Sequence, residues 1–331
     1  MVYIPKCQQG INKMEKHMTK KILCIDGGGI KGVFPASLIA TLEESIDGKV
    51  SDYFDLIVGT STGGIIALGL GMGFTGQQVL TFYEKYGSMV FKGSPLGFLR
   101  HFGISKYSNE GLRQALEETF GAKVLGESSK RLVIPSMNLE TGEVYIYKTA
   151  HHERFQHDYK VKAVDVALST SAAPTYFPTH MSATGVPLVD GGVWANNPVG
   201  MAVVEAIGVL GWSKDDLQVL SIGCTSESMS MKIGKKLPWL LYWAPNLVSV
   251  FMASQSSASL GTAQILAGFE NVTRIDPIVA KGKFGLDVLE GIKSLKGLGH
   301  SEARKALPHL KHFFEQKATK FDPIYKVENS I

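Results

Sequence analysis

The sequence GTSTGG at residues 59–64 constrains this chain more than any other feature, because it directly follows an apolar run at residues 56–58. An apolar run that leads into G-x-S-x-G and then a helical pattern is typical of a nucleophile elbow, a tight strand-to-helix turn with serine at its tip. Glycines flank such a serine because the backbone is strained and neighbouring chains approach closely. Ser61 is therefore the candidate nucleophile, and the alternative is a glycine-rich loop with no catalytic role. The other residues of the elbow motif are Gly59, Thr60, Thr62 and Gly63.

A second glycine-rich loop, DGGGIKG at residues 26–32, lies between a predicted strand and a predicted helix. Its glycine spacing satisfies G-x-G-x-x-G, which also fits a dinucleotide site. However, no acidic residue is clearly placed at a strand end about 20 residues further on to hold a ribose. Consecutive glycines free backbone N–H groups to converge on a small anion. Beside an elbow, we interpret the loop as an oxyanion hole formed by Gly27, Gly28, Gly29, Ile30, Lys31 and Gly32.

Asp190 is the third candidate, at the end of a predicted strand and before Gly191 and Gly192. In a parallel sheet, its carboxylate could reach the edge where the other two loops lie. The alternative is a turn aspartate that accepts local N–H groups. A sheltered carboxylate can have its pKa raised enough to accept a serine proton. The histidines have no convincing catalytic setting; those considered are His151, His152, His157, His180, His300, His309 and His312.

Two consecutive strand–loop–helix units, at residues 22–42 and 55–70, predict a parallel sheet. We expect an α/β protein of three layers, α/β/α, with a mainly parallel central sheet and a largely helical C-terminal part. The expected organisation is an N-terminal arm at residues 1–20 and a single catalytic domain at residues 21–331, of which residues 225–331 form a helical portion packed on the rest. Further strands are predicted at residues 132–134, 144–147, 187–189, 219–222 and 272–275, and helices at residues 161–171 and 199–210.

The composition limits where this protein acts. A net charge of +4 is too small to favour a nucleic-acid polymer as partner. Cys7, Cys24 and Cys224 are widely spaced, and residues 1–20 lack an apolar signal segment, which favours reduced thiols in the cytoplasm. No apolar run reaches the roughly 18 residues of a membrane span. We therefore expect a cytoplasmic protein that contacts membranes only at their surface.

The three motifs, taken in order, resemble the signature of the patatin-like phospholipases. D-G-G-G-x-[KR]-G lies at residues 26–32, G-T-S-T-G-G at residues 59–64 and D-G-G at residues 190–192. The phrases at residues 171–178 and 193–198 are also similar to that family. The resemblance covers roughly residues 21–220, and it implies a lipid acyl hydrolase with a Ser–Asp dyad on an α/β sheet between helices.

Carried over residue by residue, the resemblance makes Ser61 the nucleophile and Asp190 the base. The amides of Gly28 and Gly29, with their neighbours, would hold the oxyanion. Lys31 stands where many members have arginine, so a bidentate contact at that position is not implied. The implied reaction cleaves fatty-acyl esters of glycerophospholipids through an acyl-serine, with no metal and no cofactor.

Compact bacterial members of this family include effectors that cyclic dinucleotides activate. The resemblance therefore allows a cyclic dinucleotide as activating partner and a role in antiviral defence, and the sequence also leaves a homodimer open. Two other functions stay open. One is a soluble ester or thioester hydrolase with a Ser-His-Asp triad that uses His300 or His309, and the other is a nucleotide-binding signalling module that uses residues 27–32.

An aromatic run at residues 237–243, LPWLLYW, follows several lysines. Such a run suits the membrane interface, where Trp and Tyr are enriched and lysines meet anionic headgroups. We expect Trp239 and Trp243 to contact the lipid surface; the alternative is a core helix. The serine-rich run at residues 253–261 fits either a lid or a helix–helix contact between small residues.

Overall fold

The computed structural model describes residues 19–91, 105–227 and 247–327, with only the backbone of residues 248 and 249. Within these ranges the strands are β1 (Lys20–Ile25), β2 (Leu56–Gly59), β3 (Arg131–Asn138), β4 (Val144–Lys148), β5 (His180–Met181), β6 (Pro187–Asp190), β7 (Leu217–Ile222), β8 (Ser226–Glu227), β9 (Val272–Ile275) and β10 (Ile278–Val279). The α-helices are α1 (Val33–Glu43), α2 (Thr62–Gly71), α3 (Gly76–Val90), α4 (Glu110–Phe120), α5 (Ala163–Thr170), α6 (Gly192–Ala195), α7 (Val199–Gly208), α8 (Leu247–Ala267) and α9 (Ile292–Leu310).

Eight of these strands form one sheet in which parallel pairing dominates. Its order is β5-β6-β3-β2-β1-β7-β9, and β4 pairs with β3. The central strands β3, β2, β1, β7 and β9 run parallel, whereas β4 and β6 run antiparallel to β3. The mainly parallel sheet expected from the two strand–loop–helix units is confirmed.

Helices cover both faces of the sheet. Because side chains alternate between the faces of a strand, β1 contributes to two separate clusters. Leu23 and Ile25 pack into the larger one, with side chains of α1 to α5 and α9. Ile22 and Cys24 pack into the other, with α7 and α8. The predicted three-layer α/β/α architecture is therefore confirmed.

The C-terminal part is helical, as expected, but it also completes the sheet. Strand β9 pairs in parallel with β7 and coincides with the strand predicted at residues 272–275. A separate two-stranded sheet joins β8 and β10. The strands β5, β8 and β10 were not predicted, because two residues are too few to show an alternating pattern. Within the described ranges, no helix has the length and apolar character needed to cross a membrane.

Candidate active site

Ser61 lies at the tip of a strained turn between β2 and α2. Its backbone has φ 56° and ψ −121°, a region that residues other than glycine rarely adopt. Two hydrogen bonds brace the turn. The Ser61 N–H donates to Thr170 Oγ1 at 3.0 Å, and the Thr170 hydroxyl donates to the Pro135 carbonyl at 2.6 Å. Thr170 is thus a supporting residue that the sequence analysis missed.

The glycines on either side of the serine allow backbones to touch. A Cβ at Gly59 would lie 2.1 Å from the Gly63 carbonyl oxygen, and a Cβ at Gly63 would lie 2.2 Å from the Ile25 carbonyl oxygen. Both contacts are with backbone atoms, so no side-chain movement could relieve them. The Thr60 hydroxyl donates to the Ala195 carbonyl at 2.7 Å, which ties the elbow to the segment that follows β6.

Asp190 ends β6, and the next residues, Gly191 and Gly192, turn the chain into α6. The Gly192 N–H donates to Asp190 Oδ1 at 2.6 Å. Burial raises the pKa of Asp190 to about 7, although hydrogen bonds from the Ser61 side chain and the Gly192 N–H lower it. The structure therefore brings Ser61 and Asp190 together, although they are far apart in the chain. A carboxylate with a pKa near 7 is a suitable proton acceptor at neutral pH.

The glycine loop presents fewer free N–H groups than the motif suggested. The N–H groups of Gly27, Ile30 and Lys31 donate to backbone carbonyls, at 3.0, 2.8 and 3.1 Å. Among the described residues, the N–H groups of Gly28 and Gly29 have no acceptor, and both glycines line the same cavity as the serine. The geometry therefore favours Gly28 and Gly29 over the rest of the predicted loop as oxyanion donors.

Lys31 does not supply its charge to this cavity. Its Nζ donates to the Thr225 carbonyl at 3.1 Å, and neither Lys31 nor Gly32 is among the described residues that line the cavity. Gly29 has φ +58°, and a Cβ there would lie 2.2 Å from the Leu286 carbonyl oxygen. The Ile30 N–H donates to that same carbonyl. A segment of the C-terminal part thus packs directly on the glycine loop.

An ion pair that the sequence analysis missed holds the residue before the loop. Arg274 of β9 donates to both carboxylate oxygens of Asp26, at 2.8 and 2.5 Å. It also donates to Ser221 Oγ of β7 at 2.7 Å and to Asp276 Oδ2 at 2.9 Å. Burial raises the pKa of Asp26 to about 6, and Arg274 opposes that rise. The edge strand β9 therefore fixes the loop through a bidentate contact that spans β7.

Ser61, Asp190 and the two glycines open into one cavity of about 640 Å³. No histidine of the described ranges lines it. His300, a candidate for the triad alternative, is on α9 with Nδ1 3.1 Å from Thr41 Oγ1, and His309 lies on the same helix. Away from the polar groups the wall is mostly apolar and includes Ile65, Phe82, Val90, Phe91, Leu112 and Phe177.

Comparison with known proteins decides the family. Residues 23–203 match the family model described as patatin-like phospholipase. The chain belongs to the patatin-like phospholipase family. The resemblance drawn from the three motifs is thereby confirmed, and this patatin-like protein is a hydrolase that acts on lipid esters. The prediction of a lipid acyl hydrolase is confirmed with it.

Several relatives of this patatin-like protein are similar over most of their length. It is 32% identical over 298 residues to a cGAMP-activated phospholipase of Pseudomonas aeruginosa, covering 87% of this chain and 89% of that protein. It is 34% identical over 239 residues to a cGAMP-activated phospholipase of Escherichia coli, covering 67% of each. A cGAMP-activated phospholipase of Vibrio cholerae is 31% identical over 274 residues, covering 75% of this chain and 77% of that protein.

Some predictions for this patatin-like protein fall outside the described residues. Trp239 and Trp243, the expected membrane contacts, lie in residues 228–246, and most of the expected N-terminal arm lies in residues 1–18. Their roles stay predictions.

We expect Arg274→Ala to lower kcat by about 100-fold, the order expected when catalytic groups are misplaced by an ångström, with little change in KM. Without the guanidinium, the Asp26 carboxylate loses its bidentate partner and the loop after it keeps only the hydrogen bonds of its backbone and of Lys31. Arg274→Lys keeps the charge but loses the fork, so it should recover only part of the rate. Steady-state kinetics on a soluble ester would measure both.

The control is Asp276→Asn, which removes one partner of Arg274 and leaves its contact with Asp26 in place. It should retain most of the wild-type kcat. Thermal unfolding of each variant separates a folded, slow enzyme from an unfolded one. A rise in KM at unchanged kcat would contradict a role in positioning the loop.

Proposed function

We propose that this protein is a phospholipase A or lysophospholipase in which Ser61 is the nucleophile and Asp190 the base. One observation carries the proposal: a buried Asp190 carboxyl with a pKa of about 7 interacts with the Ser61 side chain at the polar end of an apolar cavity. A base of that strength beside a serine hydroxyl supports acyl transfer. The cavity holds no histidine of the described ranges that could serve instead.

The proposed reaction has two proton-balanced halves. In the first, Ser61 Oγ attacks the ester carbonyl carbon while Asp190 accepts its proton, and the N–H groups of Gly28 and Gly29 donate to the oxyanion. The carbon–oxygen bond to glycerol then breaks, and Asp190 protonates the leaving oxygen to release lysophospholipid. In the second half, Asp190 takes a proton from water, which attacks the acyl-serine. The fatty acid leaves and the proton returns to Ser61.

The apolar wall supports a fatty-acyl chain as the group that is transferred. The rings of Phe82, Phe91 and Phe177 and the side chains of Ile65 and Leu112 line the cavity, and burial of an acyl chain against them releases water from apolar surface. Such chains are found in membranes, so we infer that the protein binds the membrane surface peripherally. The headgroup would remain near the polar end, beside Ser61.

We also propose that a cyclic dinucleotide activates the enzyme. The three relatives compared above are named cGAMP-activated phospholipases, and the first aligns with this chain over 89% of its own length. That coverage leaves little of the relative for a separate sensor domain. A sensor and a lipase would therefore share the single fold that this chain adopts.

Removal of either dyad member should abolish fatty-acid release. Ser61→Ala and Asp190→Asn should each lower the rate by about 10⁴-fold or more, the order measured for such residues in serine hydrolases. Mass spectrometry of fatty acids released from a mixed phospholipid extract would measure it. His300→Ala and His309→Ala should keep nearly full turnover. If either histidine variant were as inactive as Ser61→Ala, a triad would replace the dyad.

The pH dependence should follow the pKa of Asp190. Because the base must be unprotonated, kcat/KM should rise with pH through about 7 and then level off. The folded pKa lies above the ordinary 3.8, so the folded state binds the proton more tightly and ionisation of Asp190 destabilises the fold as pH rises from about 4 to about 7. Asp190→Asn should therefore raise the free energy of unfolding at pH 8 but not at pH 4.

That increase should be at most about 4 kcal/mol, which corresponds to a rise in pKa from 3.8 to about 7. Urea unfolding of wild type and variant at both pH values would measure the difference, since other titrating groups cancel. If Asp190→Asn changed the free energy of unfolding equally at the two pH values, burial of the ionised Asp190 carboxylate would not destabilise the fold.

Addition of cGAMP to the purified protein should raise the rate of fatty-acid release at least tenfold, which corresponds to about 1.4 kcal/mol of activation free energy. Titration of the nucleotide against release from phospholipid vesicles would measure it. Ser61→Ala should bind the nucleotide and release nothing. The linear dinucleotide is the matched control, and a rate indifferent to cGAMP would contradict the proposal.

A further inference from the structure

Helix α8 has one face packed on the protein and one face in solvent. Its inner face packs on α7, with Ala263 and Ala267 buried, and Ser259 Oγ bonds the backbone of Asn197 and Gly200. The sequence of all 21 residues, LVSVFMASQSSASLGTAQILA, contains no charged side chain. A helix face in contact with water ordinarily carries charged residues. The outer face of α8 therefore lacks the composition of a solvated surface.

Large apolar side chains stand at both ends of that outer face. Leu247 is 42% exposed, Phe251 57% and Ile265 77%. Between them the exposed residues are Ser254, Ser257, Ala258 and Thr262, of which Ser254 and Ala258 lie in line with the large apolar side chains. These positions, together with Gly261, are separated by alternating steps of four and three residues, which is the spacing of a heptad seam. We call these six residues the α8 seam: Leu247, Phe251, Ser254, Ala258, Gly261 and Ile265.

Gly261 has no close neighbour among the residues that the structure describes. A Cβ at this position would meet nothing within 4 Å. Glycine in a helix costs about 1 kcal/mol of stability relative to alanine. Because the space around residue 261 is open, alanine would fit there and would stabilise the helix. Close approach of another chain would give glycine a use at this position.

The α8 seam is complementary to itself when two copies run antiparallel. In that arrangement the two positions of every facing pair lie at equal distances on either side of the midpoint of the seam. Phe251 meets the partner's Gly261, so the largest side chain faces the position without one. Ala258 meets the partner's Ser254 at the centre, and Ile265 meets the partner's Leu247. We infer that the α8 seam is the interface of a homodimer with twofold symmetry.

Charge favours a second copy over other occupants. Because α8 has no charged residue, two copies meet without opposing like charges, and antiparallel helices place each positive N-terminal end beside a negative C-terminal end. Anionic lipid headgroups are attracted by Lys and Arg, and α8 carries neither. The match of Phe251 to glycine also has no use against fluid lipid.

The dimer would lie next to the substrate cavity. Phe251, Met252 and Gln255 line that cavity, and Phe251 is also a member of the seam. Pairing would cover the exposed part of the Phe251 ring and fix one wall of the cavity. Ser61 and Asp190 are not part of the seam, so failure of the dimer and failure of the proposed chemistry are distinguishable.

The test is the molar mass of the full chain in solution at micromolar concentration, measured by sedimentation equilibrium. The wild type should be a dimer. Gly261→Leu should raise the dissociation constant about tenfold or more, because it fills the space that Phe251 of the partner would occupy. Helix propensity favours leucine over glycine, so this variant should fold. Gly297→Leu makes the same change at an exposed position of α9, where an added Cβ also meets nothing within 4 Å, and should remain a dimer.

A size exchange makes the test specific. Phe251→Ala combined with Gly261→Leu should restore the dimer, because the large side chain now comes from the other helix. A monomeric wild type, or a Gly261→Leu protein that dimerises as well as wild type, would overturn the inference. A monomer that binds vesicles of anionic phospholipid through Phe251, with binding lost in Phe251→Ser, would overturn it as well and would identify the face as a lipid contact.

Discussion

Close contact between backbones at the carboxyl ends of β1 and β2 is the constraint on which the site depends. The two strands pair in parallel with Ile25 opposite Gly59, and Gly63 of the next helix lies against the Ile25 carbonyl. A side chain at either glycine would push the elbow away from the glycine loop. Ser61 and the free N–H groups would then no longer share one cavity. The site therefore requires glycine at positions 59 and 63, because a Cβ at either position would displace the catalytic side chains whatever their identity.

The features that the chemistry needs are each unfavourable for the folded protein. Ser61 has a strained backbone, Asp190 is buried with a raised pKa, and two N–H groups have no acceptor among the described residues. These unfavourable features lie at one site because a single bound substrate would offset several of them at once. An oxyanion would accept from the N–H groups of Gly28 and Gly29, while the proton of Ser61 neutralises Asp190.

Local patterns located the two residues that we propose react, and remote contacts decided the rest. Ser61 and Asp190 could be predicted because their motifs are short and strand-bound. Which amides of the glycine loop are free depends on carbonyls such as that of Leu286, which no local pattern indicates. The contact of Arg274 with Asp26 follows from the strand order β1-β7-β9. The available signal was an arginine inside the strand predicted at residues 272–275, since a charge that becomes buried in a sheet requires a partner.

The part of the chain after residue 225 adds little of the sheet but much of the site's surroundings. Arg274 holds the residue before the glycine loop, Leu286 contacts the loop, and Phe251 and Gln255 form one wall of the cavity. The family model ends at residue 203, so it does not include the C-terminal residues that make these contacts. A ligand or a second subunit that moved β9, α8 or the segment around Leu286 would therefore act on the glycine loop and the apolar cavity, while Ser61 and Asp190 stayed in place. Control of this enzyme is best sought in that C-terminal part.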